Sequence, residues 1–376
     1  MAEAKQMIPY GTQTISLDDA NAVLHALTSP FITQGPRVPM FEDAVCSVVK
    51  ARYGVAMNSA TSALHAACVA LDIGPGDLVW TSPISFVASA NCARYCGADV
   101  DFVDIDPDTL NMCPIALSAK LEEAERKPKA IIVVHMSGFP AEMAIIKEVT
   151  KAHNIAIIED ASHALGATMR GYPVGSCEHS EITVFSFHPV KMITTGEGGM
   201  AVTNDPELAE KMELFRSHGI VRGFDEPWYY EQQSLGMNYR MTDIAAALGL
   251  SQLEKLDDFC GKRHDLAIRY WLNLKDIVGR QYAEPSCQQP SHHLHIIRVP
   301  AKKRGQIFKH MRANGIGVQV HYIPIYWHPY YEQLGFQPGL CPNAEDYYFE
   351  AMSLPIYPDL EYADQNYVIE TLKKAL

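Results

Sequence analysis

Short apolar segments alternate with stretches of helical spacing over the first 200 residues, and this alternation is what most constrains the fold. The apolar segments are rich in β-branched residues and nearly continuous, which is typical of strands buried on both faces. Because helices separate them, the strands are expected to form a mainly parallel sheet with helices on both sides. Strands are predicted at 54–59, 77–82, 99–106, 129–135, 155–160 and 181–187, and helices at 60–71, 85–95, 114–124 and 142–153. This pattern predicts an α/β fold with its ligand site at the carboxyl ends of the strands.

The pattern changes in the last part of the chain. Residues 242–275 have the spacing of one long helical region, and a loop that contains Pro285 and Pro290 follows it. Beyond this loop, strands are predicted at 292–299 and 317–322, and helices near 302–313 and 364–375. We therefore predict a large domain of residues 1–255 and a smaller C-terminal α+β domain of residues 256–376.

Composition limits the partners that such a chain can have. Of its 376 residues, 48% are apolar, which is enough for a large buried core. The net charge of -13 disfavours a nucleic-acid backbone as partner, so the positive charge that meets an anionic substrate must be local. No apolar run reaches the roughly 18 residues of a membrane span, and the start of the chain lacks the apolar segment of a signal peptide. A cytoplasmic protein that does not bind membranes is expected.

The cysteines are interpreted as structural. Nine are scattered along the chain, and the absence of a CxxC pair argues against a disulfide framework or a metal site. Cys92 and Cys96 lie one helical turn apart, but the segment around them is apolar, so both are expected to be packing residues.

Chemically useful side chains follow several of the predicted strands. The segment from Asn58 to Ser62 leads into a helix whose first amides suit a phosphate, although Ser and Thr are also ordinary helix caps. Phe86 could lie flat on a planar ring or belong to the core. Asp160, at a strand end, could pair with a pyridinium nitrogen or cap the next helix. Lys191 follows the last predicted strand in apolar surroundings, where desolvation favours the neutral, nucleophilic amine of a Schiff-base lysine; a solvated surface lysine is the alternative.

The order of these features indicates a cofactor. A helix N-terminus, an aromatic residue, a strand-end Asp, and then Ser186 and Lys191 follow the order in which a pyridoxal-phosphate site is built along such a sheet. The glycines after Lys191 lack GxGxxG spacing before a helix, which counts against a nicotinamide-dependent dehydrogenase.

Several segments resemble the DegT/StrS-type nucleotide-sugar aminotransferases, a family with the aspartate-aminotransferase fold (fold type I). The resemblance extends over essentially the whole chain and implies an enzyme that uses pyridoxal 5′-phosphate. It is carried by ITQGPRVPMFE (32–42), NSATSALHAA (58–67), SPISFVASAN (82–91), IIEDASHALGA (157–167), VFSFHPVKMITTGEGG (184–199), LFRSHGI (214–220), GMNYRMTDIAAALGLSQLEKLD (236–257) and VQVHYIPIY (318–326).

The resemblance implies roles for individual residues by motif position. Lys191 would hold the cofactor covalently and move the proton during catalysis, Asp160 would pair with the pyridinium nitrogen, and His163 would lie near the phenolic oxygen. Asn238 would reach the cofactor phosphate from a partner subunit, which implies a homodimer with shared active sites. Other implied cofactor-binding residues are Ala60, Thr61, Phe86 and Ser186. Positions that match substrate contacts are Tyr10, Pro30, Phe31, Ile32, Thr33, Ala60, Ser186, Asn238, Gln319, Val320, His321 and Tyr322.

Within the family, the motifs are most similar to those of members that act in pseudaminic acid biosynthesis, including PWYYEQ (227–232) and CPNAEDYY (341–348). This similarity implies that L-glutamate donates its amino group to carbon 4 of UDP-2-acetamido-2,6-dideoxy-β-L-arabino-hexos-4-ulose. For the substrate diphosphate, the candidate cationic partners are Arg216, His218, Arg222 and His321.

Two alternatives stay open. His292, His295 and the segment Ser137-Gly138-Phe139 depart from the family pattern, so the substrate could be another nucleotide-linked keto-sugar. A non-catalytic regulator would need a lost lysine or a basic DNA-binding face, and neither is visible in the sequence.

Overall fold

The computed structural model of the protein describes residues 7–223, 225–281 and 287–376. Its strands, numbered along the chain, are β1 (Tyr53–Met57), β2 (Leu78–Thr81), β3 (Asp99–Phe102), β4 (Ala130–Val134), β5 (Ala156–Asp160), β6 (Thr168–Met169), β7 (Tyr172–Pro173), β8 (Ile182–Ser186), β9 (Gly199–Thr203), β10 (Ile220–Val221), β11 (Glu231–Gln232), β12 (Gly279–Arg280), β13 (Gln288–Gln289), β14 (His295–Arg298) and β15 (Ala351–Leu354).

The α-helices are numbered in the same way. They are α1 (Leu17–Leu27), α2 (Arg37–Val49), α3 (Ala60–Ala70), α4 (Ala88–Tyr95), α5 (Pro114–Glu123), α6 (Met143–Lys151), α7 (Pro206–Arg216), α8 (Asp243–Leu253), α9 (Leu256–Leu274), α10 (Ala301–Ala313), α11 (Pro329–Glu332), α12 (Pro342–Glu350) and α13 (Tyr362–Ala375). Short 3₁₀ turns lie at Met136–Gly138 and Ile325–Trp327.

A seven-stranded sheet in the order β1-β9-β8-β5-β4-β2-β3 forms the centre of the molecule. Neighbouring strands from β8 to β3 are parallel, whereas β9 is antiparallel to both β1 and β8. The predicted α/β fold with a mainly parallel sheet is confirmed, and the six strands predicted in the first 200 residues are all present. The sequence prediction did not include β9, which lies between β8 and β1 in the sheet.

Alternation along the strands divides the sheet's side chains between two helical layers. Ile131 and Ile157 pack with Leu117 and Ile146 of α5 and α6, whereas Ile132, on the opposite face, packs with the core beneath α3 and α4. Every residue of β4 is buried, which explains why its sequence shows a continuous apolar run rather than alternation. Burying each Ile or Val side chain of β4 stabilises the fold by about 1.5–3 kcal/mol before the entropy cost.

The C-terminal part has its own three-stranded sheet, β12-β14-β15, and its own core around Tyr270, Ile297 and Val368. The strand predicted at 317–322 is wrong: this segment forms one isolated bridge, between Gln319 and Ser353. The place beside β14 is instead taken by β15, which follows directly on α12.

The long helix predicted over 242–275 is two helices, α8 and α9. At the junction, the Lys255 amine bonds Asp19 Oδ2 at 2.6 Å and so ties the chain to α1. The domain boundary that we propose between residues 255 and 256 falls at this junction.

Within residues 7–223, 225–281 and 287–376, no helix is long and apolar enough to cross a lipid bilayer. Nor do the same residues include a group of three or more His, Cys, Asp or Glu side chains that could hold a metal ion.

Candidate active site

A cavity of about 420 Å³ lies at the carboxyl ends of the central strands. Its lining residues come from the ends of β5 and β8, from the start of α3 and from the C-terminal part of the chain. The sequence-predicted residues that line it are Tyr10, Ala60, Thr61, Phe86, Asp160, His163, Ser186, Lys191, His321 and Tyr322. The predicted residues that do not line it are Pro30, Phe31, Ile32, Thr33, Asn238, Gln319 and Val320.

One end of the cavity is the N-terminus of α3. The Ser59 hydroxyl caps this helix by accepting from the Ser62 amide at 3.1 Å, while the Ala60 and Thr61 amides, in the first turn, have no partner within the helix. The helix dipole adds partial positive charge at this end. Gly199 of β9 lies directly against the turn: a Cβ there would be 2.3 Å from the Ala60 nitrogen. The turn is therefore a cradle for an anion, and only glycine fits behind it.

Asp160 lies at the end of β5 and is held by short hydrogen bonds. Its Oδ2 accepts from the Ser89 hydroxyl at 2.6 Å, and its Oδ1 accepts from the Ser162 amide at 3.1 Å. Ser89, in α4, has its hydroxyl 2.7 Å from that of Ser85, which lies in the bend before the helix. Donors on both carboxylate oxygens fix the orientation of the Asp160 side chain towards the cavity.

Lys191 faces the same cavity from the loop after β8. Burial, opposed by the charge of Asp160, lowers the pKa of the Lys191 amine from 10.5 to about 8. The neighbouring Phe187, Met192 and Ile193 are buried and supply the apolar surroundings. A substantial fraction of this amine is therefore neutral and nucleophilic near pH 8.

His163 is the buried imidazole of the cavity wall. Its Nδ1 accepts from the Ser137 amide at 3.3 Å, so Nε2 carries the proton, and the Tyr322 hydroxyl lies 3.3 Å from that nitrogen. Burial, together with the charge of Lys191, holds the pKa of His163 well below its usual value. His163 is thus a neutral hydrogen-bond donor, and the His293 ring, centred 4.4 Å away, packs against it.

Glu159, next to Asp160 in β5, belongs to the other face of the sheet. Its Oε2 is 2.6 Å from His135 Nε2, and its Oε1 accepts from the Thr183 hydroxyl at 3.1 Å. Although burial opposes ionisation, the bond from His135, supported by Ser180 and Thr183, lowers the pKa of Glu159. Successive residues of a strand point to opposite faces, so these adjacent acids serve two separate networks.

Of the predicted site residues outside the cavity, those from Pro30 to Thr33 and Asn238 lie on exposed segments, whereas Gln319 and Val320 lie between the buried Val318 and His321. Phe31 is 55% and Ile32 49% exposed, and Asn238 is exposed in a segment that bridges to Ser217. The buried carboxylate of Asp243 anchors the first of these segments by accepting from the Gly35 and Arg37 amides at 2.7 and 2.9 Å. Large apolar side chains are also exposed on the neighbouring elements: Leu17, Leu24, Leu27, Met40, Trp228, Leu235 and Met237.

Two of the candidate partners for a diphosphate are engaged elsewhere. Arg216 donates to Glu42 Oε1 and to the Ala56 carbonyl, and the Arg222 guanidinium lies over the Tyr230 ring. His321 does line the cavity; burial lowers its pKa to about 3, so it is neutral and can act only through hydrogen bonds.

Sequence reasoning missed several residues of the site. Polar cavity-lining residues to which it gave no role are Ser85, Ser162, His188 and Glu197. Ser85 and Ser89 had a local signal, since a spacing of four places two hydroxyls on one face of a helix. The bond from Ser89 to Asp160 joins residues 71 positions apart, so no local pattern indicated it.

The donor set fits pyridoxal 5′-phosphate. The cradle of Ala60 and Thr61 suits the phosphate, the carboxylate of Asp160 suits a protonated ring nitrogen, and the lowered pKa of Lys191 suits an amine that bonds an aldehyde. Phe86, 60% exposed at the cavity, offers an aromatic face to a planar ring.

The chain is similar to known proteins over nearly all of its length. Residues 13–373 match the DegT/DnrJ/EryC1/StrS aminotransferase family. The chain is 37% identical to the spore coat polysaccharide biosynthesis protein SpsC of Bacillus subtilis and 38% identical to a UDP-4-amino-4,6-dideoxy-N-acetyl-beta-L-altrosamine transaminase of Campylobacter jejuni, in each case over 97% of this chain and 96% of the relative. Among solved structures, Helicobacter pylori PseC, an aminotransferase involved in the biosynthesis of pseudoaminic acid, has a TM-score of 0.92 at 34% identity, over 98% of this chain and 99% of that chain.

Proposed function

The chain belongs to the DegT/DnrJ/EryC1/StrS aminotransferase family, and we propose that it transfers the amino group of L-glutamate to carbon 4 of UDP-2-acetamido-2,6-dideoxy-β-L-arabino-hexos-4-ulose. It is a nucleotide-sugar aminotransferase that uses pyridoxal 5′-phosphate and has fold type I. The single observation that carries the chemistry is that Lys191 and Asp160 line the same cavity. They are close enough for the carboxylate charge to oppose the effect of burial, which lowers the pKa of the amine.

The choice of sugar is supported by two relatives and by motifs in the chain. The matches to the Campylobacter jejuni transaminase and to the PseC structure cover almost the whole length of both chains. Neither relative therefore has an inserted domain that would make its site different from this one. Two motifs shared with this branch, PWYYEQ and CPNAEDYY, lie outside the parts that hold the cofactor.

The chemistry needs a group that moves one proton between two carbons. When bound, pyridoxal 5′-phosphate supplies a protonated ring that withdraws the electron pair left on carbon when a proton leaves. We assign the proton transfers to the Lys191 amine, which is neutral in part near pH 8. Its Nζ takes a proton from the α-carbon of glutamate and, in the second half of the reaction, returns a proton to carbon 4 of the sugar.

The neighbouring residues orient the reacting groups. Asp160, fixed by Ser89 and Ser162, would keep the ring nitrogen protonated, and each pKa unit that it adds corresponds to about 1.4 kcal/mol. His163 donates from Nε2 and would hold the phenolic oxygen. Phe86 would cover one face of the ring and exclude water from it.

We infer that the active enzyme is a homodimer in which each chain completes the other's site. Asn238 and the segment from Pro30 to Thr33 match cofactor- or substrate-contacting positions of the family, yet they lie outside the cavity of their own chain. Exposed apolar side chains on α1, on α2 and in the loop around Trp228 would be covered by a second copy.

A second candidate is amination of a different nucleotide-linked keto-sugar. The observation that favours it is the relative from Bacillus subtilis, a spore coat polysaccharide protein, which is 37% identical over the same share of the chain. Its chemistry would use the same residues, and only the groups around the sugar would differ.

A substrate panel tests the proposal. Purified enzyme with pyridoxal phosphate and L-glutamate is given several UDP- and dTDP-linked 3-keto- and 4-keto-sugars, and the products are identified by mass and proton NMR. We expect the fastest turnover with the β-L-arabino 4-keto UDP-sugar. Faster turnover of another keto-sugar would overturn the substrate, and no amination of any of them would overturn the activity.

A further inference from the structure

Arg263, in α9, is a fully buried cation whose hydrogen bonds go to main-chain carbonyls. Its Nη1 lies 2.9 Å from the Ile356 carbonyl. The same nitrogen is 3.3 Å from the His293 carbonyl and 3.5 Å from the His292 carbonyl. Across the described part of the chain, the Nε and Nη2 atoms of Arg263 have no hydrogen-bond partner. Burial lowers the pKa of the guanidinium to about 10, so it is still charged near pH 7.

This arrangement is costly for a residue that only fills the core. A charge taken out of water costs free energy, which is repaid only when its donors are all bonded in good geometry. Two of the three guanidinium nitrogens of Arg263 are not bonded to any described residue. Packing alone therefore does not account for an arginine at this place, and the carbonyls that it holds indicate where it acts.

Two of these carbonyls belong to residues 291–294, which lie against the 3₁₀ turn Met136–Gly138. The Ser291 amide donates to the Gly138 carbonyl at 3.1 Å. A Cβ at Gly138 would be 2.2 Å from Ser291 Oγ, so the two segments are in direct contact. The φ of His292 is 54°, a left-handed conformation that a histidine keeps only when its surroundings hold it. The bonds to Arg263 are part of what holds it.

Residues 291–294 and this turn surround His163 of the active site. The Ser291 hydroxyl donates to the His163 carbonyl at 2.8 Å. The His293 ring lies on the His163 ring at 4.4 Å between centroids and an angle of 39°. The turn supplies the Ser137 amide that donates to His163 Nδ1 at 3.3 Å. Because an accepting Nδ1 leaves the proton on Nε2, this last bond selects one tautomer of His163.

We propose that Arg263 is a positioning residue that keeps His163 in one orientation and one tautomer, and that it acts through residues 291–294. By holding the carbonyls of His292 and His293, the guanidinium fixes the backbone that carries the His293 ring. That ring opposes rotation of the His163 ring, so Nδ1 stays on its donor. Arg263 itself does not line the active-site cavity. Only the effect on turnover rests on the role proposed above for His163, whereas the effect on the tautomer does not.

The tautomer is measured by NMR of the ring nitrogens in cofactor-free protein that contains isotope-labelled histidine, at pH 8. The His163 signals are identified by their loss in His163→Gln. In the unsubstituted protein they should report one neutral tautomer with the proton on Nε2. In Arg263→Met the shifts of the two nitrogens should move towards each other, because both tautomers become populated. The single-turnover rate of the cofactor-loaded variant with L-glutamate, followed by absorbance, should fall by up to about 100-fold.

Variants of His293 test the ring contact separately. His293→Ala leaves the guanidinium and its bonds in place, so it tests the proposal even if Arg263→Met does not fold. It should mix the tautomers of His163, and His293→Phe, which restores a ring, should recover the single tautomer. Arg263→Lys keeps the charge with a shorter reach and should give an intermediate result.

Tyr270→Phe is the matched control for a general loosening of α9. The Tyr270 hydroxyl, about two turns further along the helix, donates to the Pro355 carbonyl at 2.9 Å, next to a carbonyl that Arg263 holds. This variant should unfold at lower urea concentration but leave the His163 signals unchanged.

A single tautomer in both Arg263→Met and His293→Ala would overturn the proposal, and so would equal mixing in Tyr270→Phe. Mixed tautomers with an unchanged rate would support the positioning by Arg263 and overturn the role proposed for His163. None of these readouts uses the sugar substrate, so they are independent of the substrate panel.

Discussion

Lys191, Asp160 and His163 lie in a cavity whose walls come from a single chain, whereas Phe31, Ile32 and Asn238 are exposed outside it. We call the first set the inner wall and the second the outer segments. The inner wall is held by hydrogen bonds of buried side chains to strands and helix ends, as Ser89 holds Asp160. The outer segments are anchored through their backbone, as Asp243 holds Gly35 and Arg37, and their side chains remain uncovered. One chain therefore contains the groups to which we assign proton transfer, and under our proposal a second copy completes the sugar-binding side.

The largest expected effect is on the inner wall. Lys191→Ala removes the only described amine that lines the cavity, so we expect turnover to fall on the order of 10⁴-fold or more. Product formation from glutamate and the keto-sugar is measured by mass. Lys211→Ala, which removes an exposed lysine paired with Asp72, is the control and should keep full activity. Substantial turnover by Lys191→Ala would mean that the inner wall does not carry the chemistry.

A smaller loss is expected when the acid of the inner wall is neutralised. Asp160→Asn keeps the shape but no longer favours a protonated ring, and kcat should fall about 100- to 1,000-fold. Ser89→Ala removes one of the two donors to the carboxylate and should lower kcat only a few-fold. Steady-state kinetics with saturating cofactor separate the two variants. An equal loss in both would show that the site depends on orientation rather than on charge.

The outer segments are tested by mixing subunits. Asn238→Ala should weaken substrate or cofactor binding about 10- to 100-fold, as expected for one lost bond to a charged group. If sites are shared, a dimer of one Lys191→Ala chain and one Asn238→Ala chain contains one intact site. Unfolding and refolding an equal mixture should then restore about a quarter of the unsubstituted activity.

In the same mixture, activity no higher than the average of the two parent variants would show that Asn238 acts within its own chain. The comparison between inner wall and outer segments would then lose its basis. Light scattering on each variant confirms that both still form dimers.

The smallest expected effect is on how the rate of cofactor attachment depends on pH. Under our assignment the neutral amine of Lys191 bonds the cofactor, so the attachment rate of the cofactor-free protein should rise about tenfold per pH unit and level off near pH 8. An unperturbed lysine would continue to rise towards pH 10.5, the value from which Lys191 is lowered. Because Asp160 raises this pKa, Asp160→Asn should move the plateau to lower pH. Stopped-flow absorbance after addition of pyridoxal phosphate measures both curves. An unchanged plateau in Asp160→Asn would show that the charge of Asp160 does not act on the pKa of Lys191.

The inner wall could be predicted from sequence because its signals are local. Each strand end carries its polar residue within a few positions of an apolar run, since Asp160 is the last residue of β5 and Lys191 follows β8. The structure brings these residues into one cavity as expected. Their individual roles remain predictions.

The parts that failed depend on contacts between distant segments. Residues 317–322 have the composition of a strand, but β15 pairs with β14 in register and leaves them a single bridge. The strand β9 was missed because it follows directly on a glycine-rich loop and is antiparallel to its neighbours. Ser89 was missed because its bond to Asp160 exists only once α4 packs on the sheet.

The two adjacent acids of β5 make the reaction depend on the alignment of one strand. A slip of β5 by a single residue would turn each of its side chains to the other face of the sheet. In one direction Asp160 would take the place of Glu159 beside His135, and Ala161 would take the place of Asp160. The cavity would then lack its carboxylate, so chains with this alignment would be compact and inactive, and the buried contact between Glu159 and His135 favours the productive alignment.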